Sequence, residues 1–167
     1  MRKHPVLLLL VMALFIFGAT QVWAGDAATA KEVKAKCQEA AKVLSEKGAA
    51  ALPQFNDNKG PWVWKDSYVF VYDMDGKIIG HPIMPHLRNK NVLGMKDAKG
   101  KMFGNDFLAI AKSPAGHGWS QYYWPKPGAK EPTLKVSYIL KVPGKDMFVG
   151  AGIANVPKEE AIKQAGD

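Results

Sequence analysis

Tyr72, His81, Trp119, Tyr122, Lys135 and Tyr138 are hydrogen-bond donors set in strand-like segments of this sequence. A partly apolar pocket that receives a small carboxylate needs such types, because each offers an N–H or O–H to an anionic oxygen and lysine adds charge. Tyr72 and His81 stand near the ends of paired segments in SYVFVYDMDGKIIGHP, where a sheet face can open into a pocket. Trp119 and Tyr123 share one side of the next aromatic segment, and Tyr122 and Trp124 share the other, so one of these faces is core. Trp119 and Tyr122 are the candidate ligand contacts among them. Lys135 and Tyr138 are chemically the best pair, but three residues apart on a strand they face opposite ways. Both reach one ligand only across a bend or bulge. Spacing alone leaves Lys135 open between a surface lysine and a pocket donor.

Other chemistries lack their parts. No nucleophile stands beside a base and no carboxylate pair is spaced for acid–base work, so an enzyme is not expected. His81, His86 and His117, with Met84 nearby, lack the helical spacing of zinc proteases and a completing cysteine or glutamate. Asp73-x-Asp75-Gly76 starts like a calcium loop but has no third acidic position or distant glutamate. Gly150-x-Gly152 has no third glycine and no following helix for a dinucleotide. Neither metal nor cofactor is expected.

These residues must be positioned by a short list of elements. Apolar spacing through Val33, Cys37, Ala40, Ala41, Val43 and Leu44 predicts an amphipathic helix from about Ala27 to Ala51, weakened at Gly48 and ended by Pro53. Pro61 to Trp64 then leads into a hairpin whose turn is Asp73-Met74-Asp75-Gly76. Pro82 and Pro85 break regular structure, and the segment to Gly104 reads as a loop long enough to be a lid, with a turn at Asp97 to Gly100. A short helix from Asn105 to Lys112, capped by Asn105 or Asp106, precedes strands at 116–125, 133–142 and 147–153. Turns at Pro127-Gly128 and Pro143 to Asp146 join these strands, and a polar helix begins near Pro157. The order is α+β with five strands.

The first 24 residues have a basic start, an apolar run of about a dozen residues and a small residue at Ala24, the pattern of a cleaved signal peptide rather than a membrane span. Residues 25–167 then form one domain, exported to the periplasm or secreted. The formal net charge is +8, Arg2 and Lys3 of the leader included. Lysines are scattered rather than clustered, and with export this argues against nucleic acid and for a solvated surface that tolerates small anions. The single cysteine, Cys37, has no partner for an internal disulfide and reads as a small buried residue.

In this order and spacing, DSYVFVYDMDGKIIGHP, NVLGMKDAKGK, GHGWSQYYWPKPG, LKVSYI and FVGAGI resemble the single Cache domain of bacterial extracytoplasmic sensors, from Lys31 to Ala154. The resemblance implies a PAS-like five-stranded antiparallel sheet packed on a long N-terminal helix, with a pocket between the sheet and its covering loops. It implies a short organic acid as ligand and puts Lys135 and Tyr138 of the K-x-S-Y strand in the pocket. A receptor of this kind continues through a second membrane helix into a signalling module, whereas this sequence stops after AIKQAGD. The expectation is a stand-alone exported sensor domain acting through a membrane receptor, kinase or transporter. The competing expectation is an interaction module, its pocket collapsed on its own aromatics, that docks on a membrane complex.

Overall fold

From Tyr68 to Tyr72 aromatic residues alternate with valines, so an extended chain presents rings to one side and β-branched side chains to the other. In the computed structural model, which describes residues 27–167, both sides are buried. The leader predicted over residues 1–24 lies outside the described residues.

The chain forms α1 (Ala30–Lys47), a 3-10 segment (Gly48–Asn56), β1 (Val63–Trp64), β2 (Ser67–Tyr68), β3 (Phe70–Asp73) and β4 (Ile78–Gly80). A 3-10 turn (Pro85–Leu87), α2 (Phe103–Lys112), β5 (His117–Pro125), β6 (Pro132–Lys141), β7 (Met147–Ala154) and α3 (Lys158–Ala165) follow. The main sheet has the order β4-β3-β7-β6-β5 and every pairing in it is antiparallel. This is the five-stranded α+β arrangement expected.

Helix α1 starts where Thr29 and Glu32 close a capping box: the Thr29 hydroxyl accepts from the Glu32 amide, and the Glu32 carboxylate accepts from the Thr29 amide. Its buried stripe is Ala30, Val33, Cys37, Ala40, Ala41 and Leu44. That stripe packs against β6 and β7. Gly48, at φ +55°, stops the α-helix, and the chain continues to Asn56 as 3-10 rather than α structure.

The hairpin turn forms as expected, with the Gly76 amide donating to the Asp73 carbonyl and Gly76 at φ +82°. Two features differ from the sequence expectation. β1 and β2 make a separate two-stranded ribbon instead of a lead into one continuous strand. α2 begins at Phe103, and neither Asn105 nor Asp106 caps it. Asp106 sits inside the first turn, paired at 2.5 Å with Lys101, so it meets the helix dipole rather than an end amide.

Alternation divides the core in two. Val69, Val71, Trp119, Val136, Tyr138, Val149, Ala151 and Ile153 pack with α1. Tyr68, Phe70, Tyr72, Tyr122, Ile139 and Phe148 pack with Phe103 and Phe107 of α2 on the other face.

Candidate functional site

Strand β6 lies between β5 and β7, and its register decides which donors share a face. Lys135 stands opposite Tyr122, and Tyr138 stands opposite Trp119. Directly opposed residues of an antiparallel pair project to the same side, and the odd separation of Lys135 and Tyr138 puts the two pairs on opposite sides.

Tyr122 and Lys135 are on the α2 face, together with Tyr72 and His81. The structure thus brings together four of the six candidate residues. It does not bring Trp119 and Tyr138 to them: no bulge reverses β6, and both rings pack on the α1 face, 5.1 Å apart. There the Trp119 indole donates to the Asp167 carboxylate at 2.8 Å, which also pairs with Lys34.

On the α2 face the Lys135 Nζ lies 4.2 Å from the centre of the Tyr68 ring. The side chain is buried, with 5% of its surface exposed. Burial pulls its ammonium down to about 7, and the charge of Asp66 pulls weakly the other way. The Tyr68 ring is also 4.9 Å from that of His81, and its hydroxyl accepts from the Trp124 indole at 3.1 Å.

His81 is 1% exposed, and burial, followed by the charges of Lys135, Arg88 and His86, holds its imidazole down to about 3. Its Nδ1 accepts from the Met84 amide at 3.0 Å, so the neutral ring carries its proton on Nε2. Arg88 does not compete for a ligand: its guanidinium donates to the carbonyls of His81 and Asn56. The Tyr122 and Ser137 hydroxyls are 3.0 Å apart. Burial raises the hydroxyls of Tyr68, Tyr72 and Tyr122 above the usual phenol range, and all three stay protonated donors.

Between β6, the β1–β2 turn and the Trp124–Pro127 stretch is a cavity of about 10 Å³ lined by Lys135, Asp66, Trp124, Lys126 and Gly152. Asp66 accepts from the Ala28 amide at 2.9 Å and approaches Lys126 at 3.6 Å. Gly152 makes room for the lysine: a Cβ there would come within 2.5 Å of the Val136 carbonyl and 2.9 Å of Lys135 Cε. The segment expected to be a lid is tied down at both ends. Near β4, the Ile78 amide donates to the Lys90 carbonyl and Asn89 donates back to Ile78. Near β5, Asp97 accepts from the amides of Lys99, Lys101 and Tyr123 at 2.8–2.9 Å. Burial opposes ionisation of Asp97, but these donors and the Lys101 charge outweigh it and hold the carboxyl below its usual range.

Sequence reasoning passed over Tyr68, Trp124, Asp66 and Gly152. Period two was the available signal for two of them: Tyr68 is four residues before Tyr72 and Trp124 two after Tyr122, each on the same face. Asp66 and Gly152 carried no local signal, because their roles depend on neighbours from other strands.

This sheet order, with a long helix on one face and a covered polar-aromatic face on the other, defines a PAS-like sensory fold. The chain belongs to the Cache domain family, whose profile matches residues 34–165. Cache domains are sensory, ligand-binding domains. Over 88 residues, 53% of this chain and 16% of the relative, it is 34% identical to the methyl-accepting chemotaxis protein McpP of Pseudomonas putida. Over 89 residues, 53% of this chain and 19% of the relative, it is 36% identical to the sensor histidine kinase MctS of Rhizobium johnstonii. The chain thus spans less than a fifth of the length of these curated relatives. A solved Cache chemosensory domain, described for its carboxylic acid recognition, superposes with a TM-score of 0.60 at 28% identity, covering 74% of this chain and 88% of that one. The periplasmic sensor domain of a chemotaxis protein has the same fold, with a TM-score of 0.60 and 24% identity over 74% of this chain and 90% of that one.

Proposed function

We propose that this domain is an extracytoplasmic sensor that binds a short organic acid on the α2 face, with the ligand carboxylate against Lys135. The observation that carries the reading is a buried lysine with no acid in ion-pair distance among the described residues, set beside a cavity and flanked by neutral donors. A buried cation without a counterion is costly, and a carboxylate ligand supplies that counterion. His81 Nε2–H and the hydroxyls of Tyr68, Tyr72 and Tyr122 are the neutral donors of the same face, and the surrounding rings favour a short aliphatic chain. The carboxylic acid recognised by the related chemosensory domain supports this ligand class. The chemotaxis receptor and histidine kinase relatives support a role in signal transduction, with the bound state read by a receptor, kinase or transporter partner.

The basic, apolar and small-residue pattern of residues 1–24 supports export through a cleaved signal peptide, with residues 25–167 as a single Cache domain in the periplasm or secreted. Among the described residues no helix is long and apolar enough to cross a membrane.

One observation favours a second reading, a docking module with a collapsed pocket: the cavity beside Lys135 has room for about one water molecule. Thermal-shift screening of the purified protein against short organic acids, amino acids and amines separates the two. The sensor reading requires a dose-dependent stabilisation by a carboxylate that is lost in Lys135→Ala. Stabilisation by no small molecule, together with stable co-purification of a membrane partner, supports docking instead.

A further inference from the structure

Strand β5 is an edge of the main sheet, paired with β6 on one side and with no strand on the other. The Lys141 amide donates to the Gly116 carbonyl, which fixes the phase of the ladder: Gly118, Ser120, Tyr122 and Trp124 bond to β6. His117, Trp119, Gln121 and Tyr123 therefore aim their backbone N–H and C=O groups away from the sheet. The segment before α2 caps the later half of this edge, where Asp97 accepts from the Tyr123 amide and the Lys101 ammonium donates to the Gln121 carbonyl. The earlier half has no such cover. No hydrogen bond to a described residue closes the N–H and C=O of Trp119 or the N–H of Gln121.

That open stretch lines a groove of about 300 Å³, with Ala109 and Ile110 of α2 on one wall and Lys158, at the start of α3, on the other. Helix α3 buries Ala161 in the core on the α1 side, and α2 buries Phe107 in the core on the other side, so the two walls belong to opposite faces of the sheet. Asp106 also lines the groove, but it is held by Lys101 at 2.5 Å and by the Ser120 hydroxyl at 3.2 Å. Lys158 has no ion pair among the described residues, and Glu159 and Glu160 do not line the groove. We propose that this groove takes an extended segment of a partner protein as a sixth strand on β5, a segment whose residues alternate between apolar and acidic. Its backbone completes the ladder at Trp119 and Gln121. Side chains alternate along a strand, so every second residue meets Ala109 and Ile110, and the acidic ones between them meet Lys158. The β5 of a second copy fits less well: His117–Pro125 contains no acidic residue and carries its own α2 and α3 beside it.

The probe is an end-capped hexapeptide alternating valine and glutamate, with a valine–lysine hexapeptide as control, and amide hydrogen exchange of the purified protein is the readout. The valine–glutamate peptide is expected to slow exchange at Trp119 and Gln121 by at least about tenfold, and the valine–lysine peptide to leave both amides unchanged. Lys158→Glu keeps the backbone amide that donates to Gln121 Oε1 and puts an acid in the first turn of α3, so the fold is retained. It is expected to weaken the valine–glutamate peptide by about tenfold. Gln121→Pro removes an outward N–H and no ladder bond to β6, and should abolish peptide binding. Equal binding of the two peptides, full affinity in Lys158→Glu, or no protection of Trp119 and Gln121 at millimolar peptide overturns the proposal. So does a dimer, seen by light scattering, that protects both amides without peptide, because the edge then belongs to a second copy.

Discussion

The Lys135 ammonium rests 4.2 Å above the centre of the Tyr68 ring and has no carboxylate in ion-pair distance among the described residues. A cation over a desolvated ring recovers about 2 kcal/mol. Removing an ammonium from water costs several kcal/mol even after relaxation. The ring therefore covers only part of the cost, and the rest shows in the ammonium being pulled down to about 7.

Stability and binding should respond in opposite directions at Lys135. Lys135→Met keeps the aliphatic stem and removes the uncompensated charge, so it is expected to stabilise the ligand-free domain by about 1–3 kcal/mol. Urea unfolding measures that gain. The same variant should lose carboxylate-induced stabilisation altogether, and a destabilised Lys135→Met would show that the ammonium is already satisfied.

Ligand affinity should fall with rising pH. In the free domain burial pulls the Lys135 ammonium down to about 7, and a bound carboxylate favours the ammonium, so the complex holds its proton to higher pH. Binding takes up a proton above that point. Affinity is thus full below about pH 7 and drops by about tenfold per pH unit above it, until the lysine of the complex also titrates. The ligand-free domain should do the reverse. An unfolded lysine titrates near about 10.4, so the unfolded state binds more protons between about 7 and that value, and stability rises with pH across the window. Titration calorimetry and urea unfolding at several pH values check the two signs. His81, held down to about 3, stays neutral throughout.

Gly152→Ala should damage the site from beneath. The added Cβ would press on the Val136 carbonyl and on Lys135 Cε, and closer still on the Ser137 hydroxyl. Overpacking of this kind costs about 1–3 kcal/mol. Carboxylate affinity should fall more than in a variant of equal stability loss on the α1 face, because the lysine stem itself has to move. Equal losses in the two variants would make Gly152 a packing residue only.

Trp119→Phe tests the division between the faces. It removes the indole donor to Asp167 and should cost about 1 kcal/mol of stability. Carboxylate affinity should stay within about twofold of the wild type, since the ring lies across the sheet from Lys135. A large loss of affinity would instead place the ligand on the α1 face, where Trp119 and Tyr138 meet.

Much of the fold was legible in local pattern. The Asp73 to Gly76 turn, the paired segments around it and the long strands β5, β6 and β7 follow from turn chemistry and from β-branched and aromatic residues. The ribbon of β1 and β2 was not legible, because two-residue strands carry no periodicity. The N-terminus of α2 misled in another way: Asn105 and Asp106 are good caps by type, but Phe103 is drawn into the core and starts the helix earlier.

At the site, the sequence determined that Lys135 and Tyr138 face apart and that Trp119 and Tyr122 do too, because side chains alternate along any strand. Which face meets a ligand was beyond it. The usual clue is a polar side set against an apolar one, and Val136, Ser137, Tyr138 and Ile139 are all buried. Only the tertiary structure gave the two faces different surroundings. It laid the small-residue stripe of α1 on one face and stacked Phe103 and Phe107 of α2 over the other. Registering β6 against β5 then put Lys135 beside Tyr122, and the β1–β2 turn carried Asp66 to the same cavity. Those placements depend on contacts between residues far apart in the chain, and no local spacing encodes them.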